Sequence, residues 1–153
     1  MRIYLPSTLP ALAAVLEDGE VRGAPFTAYA ATDELRSALG ADDEELEYEA
    51  LHHAAAASLR LLAADAQAPR RRVVIAADVP GTIVQEPADD DGPAAVTVTG
   101  TVPLNRVASA HVDDAGAVDG IAAALAEPGA GHEDGHELMW YATQELKYLV
   151  DEE

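Results

Sequence analysis

The segment DEELEYEALHHAAAASLRLLAAD, Asp43 to Asp65, decides the architecture. It is the longest helical pattern in the chain and contains neither glycine nor proline. Asp42 stands where an N-cap side chain accepts from the first free amides, and Glu45 follows at capping-box spacing. Asp43, Glu44 and Glu45 place negative charge at the positive end of the helix dipole. Leu46, Ala50, Ala54, Ala57 and Leu61 form one apolar stripe, which Leu51, Ala55, Ser58 and Leu62 widen. Glu45, Glu49, His52, Ala56 and Arg60 make the wetter opposite face. The small side chains at Ala54 to Ala57 let a sheet or a second helix come close to the backbone. This reads as a packing helix laid across a sheet. A sharper reading makes a site of Glu45, Tyr48, Glu49, His52 and His53, with Glu49 and His53 one turn apart and able to share a ligand or a proton.

Outward from that helix, the 153 residues fit one domain with a real core. Much of the 49% hydrophobic content is alanine, so the core is thin and close-packed. Aromatic residues are few, and the single Trp140 and five tyrosines carry more information for that reason. The net charge of −19 disfavours nucleic acid and anionic membrane as partners, because phosphate contacts need clustered Lys and Arg. Cations or basic partners stay compatible with it. Lys147 is the one lysine among nine basic residues, a ratio that with the alanine excess points to a GC-rich genome. The lack of cysteine removes disulfides, thiolate metal sites and a cysteine nucleophile, and fits a cytoplasmic protein. No run approaches the roughly 18 apolar residues of a spanning helix. The N-terminus reads as a strand, not a signal peptide.

In order, Arg2 to Leu5 predicts a strand stopped by Pro6. Ser7 or Thr8 caps a helix with Pro10 in its first turn, through Leu12, Val15 and Leu16 to Asp18-Gly19. Pro25 to Ala30 predicts a second strand, with Phe26, Ala28 and Ala30 on one side and Thr27 and Tyr29 on the other. Thr32 or Asp33 caps a short helix that breaks at Gly40. Beyond the long helix, Arg70-Arg71-Arg72 opens a strand, Val73 to Ala77, apolar enough to be buried on both faces. Those arginines suggest anion binding, but in so acidic a chain the stronger reading is that they neutralise nearby carboxylates or solubilise the strand start. Residues 86–94 and 127–136 read as flexible loops. Ala95 to Thr99 and Val102 to Val112, bent at Pro103, complete a candidate antiparallel meander with the 73–79 strand. Val118 to Ala126 and Glu137 to Leu149 predict the last two helices.

Four groupings bear on chemistry. His132-Glu133-Asp134-Gly135-His136 matches a zinc-peptidase spacing, but its glycines and turn residues oppose the required helix, so no metal is assigned. Asp89-Asp90-Asp91-Gly92 lacks the alternation and distal glutamate of a calcium loop. On a C-terminal helix, Glu137, Trp140, Tyr141 and Gln144 share a face next to His136 and form a pocket wall or partner surface. Arg2 and Tyr4 on the first strand, with Tyr29 on the second, form a cluster on one sheet face if those strands pair. There is no serine nucleophile elbow, phosphate-binding glycine loop or dinucleotide fingerprint, and no cofactor is assigned.

Taken together, Arg2-Ile3-Tyr4-Leu5-Pro6 with Thr8, Glu45 to Tyr48 followed by Ser58 to Leu62, Arg71 to Pro80, Val102 to Leu104, His111 to Asp113 and His136 to Glu145 resemble a family of small, acidic, uncharacterised actinobacterial proteins, a domain-of-unknown-function family. The resemblance spans nearly the whole chain. It implies a cytoplasmic bacterial protein and supplies no activity. The order of a Tyr-bearing strand, a helix, Val73 to Asp78 and then Val102 to Val107 is also faintly similar to the later half of ADP-ribosyltransferase-like folds, but no NAD-binding residue of that family is placed on this chain.

The fold expected is therefore α/β or α+β: a single domain with a mixed sheet of four to five strands, covered by the long central helix and the C-terminal helix. The first strand–helix–strand unit suits a parallel pair. The leading functional reading is a non-enzymatic binding or regulatory protein that takes a protein partner or small ligand, with Arg2, Tyr4, Tyr29, Tyr48, Glu49, His53, His136, Glu137, Trp140, Tyr141 and Gln144 as candidate surface. The alternative is an enzyme with an unrecognised pocket that brings Arg2, Tyr4, Tyr29, Glu49, His53 and His136 together. The oligomeric state is open; a Trp140/Tyr141/Tyr148 patch, if exposed, is compatible with a homodimer.

Overall fold

The computed structural model describes residues 1–22, 25–40, 42–86, 92–127 and 138–151. In chain order the elements are β1 (Arg2–Ser7), α1 (Leu9–Asp18), β2 (Glu20–Val21), β3 (Phe26–Tyr29), α2 (Asp33–Leu39), α3 (Asp43–Ala64), β4 (Val73–Asp78), β5 (Val84–Gln85), β6 (Ala95–Val98), β7 (Val102–Pro103), β8 (Val107–Asp113), α4 (Val118–Ala126), β9 (Leu138–Ala142) and α5 (Leu146–Asp151). The fold is α+β. The sheet has seven strands in the order β5-β6-β3-β1-β4-β8-β9, and a separate ribbon joins β2 to β7.

The helices form for the local reasons the sequence supplies. Asp42 accepts from the Glu45 amide and caps α3. Thr8 and Thr32 cap α1 and α2 in the same way, and Gly19 and Gly40 end those helices in the left-handed conformation. Arg70 closes the other end of α3, donating to the carbonyls of Leu62 and Asp65 at 2.9 and 3.0 Å. Leu46, Ala50, Ala54 and Ala57 are buried, as the stripe requires, and pack on Tyr4, Tyr29, Val74 and Ala76 of the sheet. The two tyrosines fill the space that the small helix residues leave. Leu61 is the exception to the stripe: it is exposed. The other face of the sheet, through Ile3, Leu5, Ile75, Val98 and Val112, packs on Leu12 and Val15 of α1 and on Leu146 and Leu149 of α5. Alternation along β1 sends Ile3 and Leu5 to one side and Tyr4 to the other.

The structure corrects the expected sheet in several places. It is larger than four to five strands, and every pairing among the described residues is antiparallel. The expected parallel pair is antiparallel because β2, held by β7, lies between α1 and β3 and lets the chain enter β3 from the opposite end. The meander does not form: β4 lies between β1 and β8, and β6 pairs with β3 and β5. The segment from Val102 splits, because β7 leaves for the ribbon and a 3-10 turn, Leu104–Arg106, precedes β8.

The expected helix Glu137 to Leu149 is also corrected. Leu138 to Ala142 is uncharged and carries Trp and Tyr, so it also suits a strand. The free side of β8 decides the matter: Ser109 to Asp113 pair with Ala142 to Leu138. Helix resumes only at Leu146, after Glu145 has bonded back to the Ala142 amide at 3.1 Å. Most of the two expected loops, with the His132–His136 and Asp89–Asp91 motifs, lies outside the described residues.

Candidate functional site

Pro6 does not end β1, which continues to Ser7. The Ser58 hydroxyl donates to the Ser7 carbonyl at 2.7 Å and accepts from the Val73 amide at 3.0 Å, so the polar groups of Ser7 face β4. Neighbouring residues of a strand face opposite ways, so Pro6 turns toward β3. From the Tyr4–Tyr29 pair, the residue opposite Pro6 would be Thr27. Proline has no N–H to give it. The β1–β3 ladder stops at that one pair, and the strands splay into a cleft of about 610 Å³.

Leu5, Val15, Val21, Phe26 and Ile75 give this cleft apolar walls. Its charged groups are Asp18, Glu20, Arg22 and Arg60, and Ser7, Thr27 and Tyr29 add hydroxyls. Glu20 and Arg22 neutralise each other at 2.7 Å. Arg60 Nη2 donates to the Tyr29 hydroxyl at 3.3 Å and, among the described residues, has no carboxylate at ion-pair distance. Arg2, Arg36 and Arg72 all have one. The Tyr29 ring is buried and stacks on His53, with centroids 6.1 Å apart and planes at 18°. Gly92 lies against that histidine: a Cβ there would stand 3.9 Å from His53 Cε1, and its φ of +102° suits glycine.

Beside this lies a second cluster on the α3 side of the sheet. Arg2 holds Asp78 through two bonds of 2.7 and 3.0 Å, which lowers the Asp78 carboxyl below its usual range. The Tyr4 hydroxyl donates to Glu47 at 3.2 Å. Burial, and then the Glu47 charge, push the Tyr4 phenol up to about 12. Burial, and then Arg2, lower the imidazole of His111. The Tyr4 shift predicts an alkaline loss of stability. The unfolded phenol ionises near pH 10 and the folded one near 12. The contribution is complete below pH 10 and is lost as pH rises from 10 toward 12. Denaturant titrations should show that slope in the wild type and a shallower one in Tyr4→Phe; equal slopes would mean Tyr4 ionises as freely folded as unfolded.

The structure thus pairs Tyr4 with Tyr29 on one face and brings His53 to Tyr29. Tyr48 is exposed and meets His52 edge-on, with centroids 4.3 Å apart. Glu49 makes no hydrogen bond to His53. Of the described residues required by the enzyme alternative, Tyr29 alone lines the cleft. Trp140, Tyr141 and Gln144 do not share a helical face, because residues 138–142 are strand. Trp140 sits opposite His111, Tyr141 packs into the core on the other face, and Gln144 is exposed in a 3-10 turn. His136 and Glu137 lie outside the described residues. Sequence reading missed Arg60, placed only on the wet face of α3, and Arg22. The signal for the cleft was Pro6 within a strand.

Among the described residues no three potential metal ligands converge, and no helix is long and apolar enough to cross a membrane. A family model described as a family of unknown function, DUF6912, matches residues 1–150. No curated protein and no solved structure matches the chain.

Proposed function

We propose that this chain, which belongs to the DUF6912 family of unknown function, is a non-enzymatic binding protein whose cleft between β1 and β3 takes a small, mostly apolar molecule carrying one carboxylate. The observation that carries this reading is Arg60. It stands at an apolar cleft with the Tyr29 hydroxyl beside it and no carboxylate partner among the described residues, in a chain of net charge −19. Acidic side chains are abundant, so an arginine without one beside an apolar cleft is matched to something brought from outside. The Arg60 guanidinium offers charge-assisted donors to a carboxylate, and the walls desolvate the rest of the ligand. The volume lies in the range of small-molecule sites. A cytoplasmic location fits a chain without cysteine.

The test is a thermal-shift panel of medium-chain fatty acids and aromatic carboxylates, each beside its alcohol. A carboxylate at a hundredfold excess over its dissociation constant stabilises the native state by about 2.7 kcal/mol. The alcohol should give much less. Arg60→Gln should weaken carboxylate binding about tenfold or more, the value of a hydrogen bond to a charged group. Equal shifts for acid and alcohol, or an Arg60→Gln variant that binds as the wild type does, would sink the carboxylate reading. No shift across the panel would sink the cleft as a site for this class.

A further inference from the structure

The two edges of the seven-stranded sheet are treated differently. One ends in β5, two residues long, which leaves little backbone for another chain to pair with. The other ends in β9, five residues long and bonded, among the described residues, to β8 alone. Folded proteins blunt such edges with charge, proline or shortness. Leu138-Met139-Trp140-Tyr141-Ala142 has none of these. Met139 is 50% exposed and Trp140 61%, and alternation points them to opposite faces of the sheet.

We infer that β9 is a homodimer interface, at which two copies join their sheets by antiparallel β9–β9 pairing about a two-fold axis at Trp140. Charge and register choose the occupant. A basic partner would be recognised through carboxylates, and β9 carries none in a chain otherwise rich in them. The acidic side chain nearest in the ladder, Asp113 opposite Leu138, is buried and held by Arg72. A neutral strand in a strongly acidic molecule is where a second acidic molecule can come close without burying charge against charge.

The strand is also its own complement. With Trp140 on the axis, Trp140 faces Trp140 of the second copy, Met139 faces its Tyr141, and Leu138 faces its Ala142. The exposed thioether meets an aromatic ring, and the exposed indoles pair across the junction. The arrangement is isologous, so it consumes both β9 edges and stops at two copies.

Two chains of charge −19 repel through solvent, so dimerisation should strengthen with salt, opposite to an interface made of ion pairs. The experiment is sedimentation velocity on the full chain, from low to high micromolar concentration, in physiological and in half-molar sodium chloride. Tryptophan emission is recorded in parallel, since Trp140 is the only indole. The expected result is a doubling of mass with concentration, reached earlier in high salt, together with a blue shift of emission as Trp140 is covered. Met139→Lys, an exposed change checked for folding by circular dichroism, should remain monomeric. Tyr148→Lys, on α5, should dimerise as the wild type does. A monomer at high concentration in high salt overturns the proposal. So does a dimer that Met139→Lys leaves intact and in which Trp140 emission does not move.

Discussion

Replacing Asp113 with alanine should cost about 3–5 kcal/mol, the typical loss when one partner of a buried ion pair is removed. Asp113 ends β8 and is fully buried. One carboxylate oxygen accepts from the Arg72 amide at 2.7 Å and from Arg72 Nε at 2.9 Å; the other accepts from Nη2 at 3.0 Å. Its carbonyl accepts from Arg71 Nε at 2.8 Å. Both arginines are buried. Without the carboxylate, the buried Arg72 guanidinium loses both of its bonds to Asp113, and a buried amide loses its acceptor. A domain of this size has about 5–15 kcal/mol in total, so the variant should be partly unfolded in mild urea. Asp113→Asn keeps the shape and one acceptor, and should fall between. The double change Arg72→Leu with Asp113→Leu should recover much of the loss, because neither charge of the pair is then left buried without the other. Urea denaturation at constant m-value is the measurement. A loss under about 1 kcal/mol for Asp113→Ala would show that water reaches Arg72 and that the pair is not a buried strut.

That pair also marks what the sequence could and could not convey. Three consecutive arginines in an acidic chain are legible as neutralising groups. Which groups they meet is not, because Asp113 lies 41 residues from Arg72 and Arg70 serves the last carbonyls of α3 instead. Local signals held: Asp42 caps α3, Thr8 caps α1, and the stripe through Leu46, Ala50, Ala54 and Ala57 is buried. Each depends on residues a few positions apart. Strand neighbours depend on where the chain travels between strands, and periodicity is silent about that. Residues 138–142 failed for another reason. Leu138, Tyr141 and Ala142 fit a helical stripe and a strand equally well, and the open side of β8 chose between them.

The candidate site was legible in fragments. The tyrosine pairing of β1 with β3 could be stated as a condition, and the condition is met. The cleft beyond it follows from Pro6, but only once the direction of β1 relative to β3 and β4 is known. Arg60 looks like any exposed helix residue until its lack of a carboxylate partner among the described residues can be seen in space.

Ser58→Ala should cost about 2–6 kcal/mol, since it leaves two buried backbone groups without their partner at roughly 1–3 kcal/mol each. Ser58 lies fully buried within the apolar stripe of α3. Its single oxygen stands where a strand-to-strand bond between Ser7 and Val73 would otherwise run, bonded to the carbonyl of one and the amide of the other. The methyl of alanine can do neither, and water has little room between a helix and a sheet that alanines hold close. The loss should be local first: the Val73 amide should exchange with solvent much faster, while amides in mid-β4 keep their protection. Ser58→Cys, nearly isosteric with a weaker donor and acceptor, should fall between alanine and wild type. If the Val73 amide stays protected in Ser58→Ala, β1 and β4 have closed on each other directly and the hydroxyl is dispensable. If exchange rises as expected, Ser58 is what fixes the end of β1 with Ser7 toward β4 and Pro6 toward β3. Ligand binding in the cleft should then weaken in Ser58→Ala even where the protein remains fully folded, because the cleft depends on which way Pro6 faces.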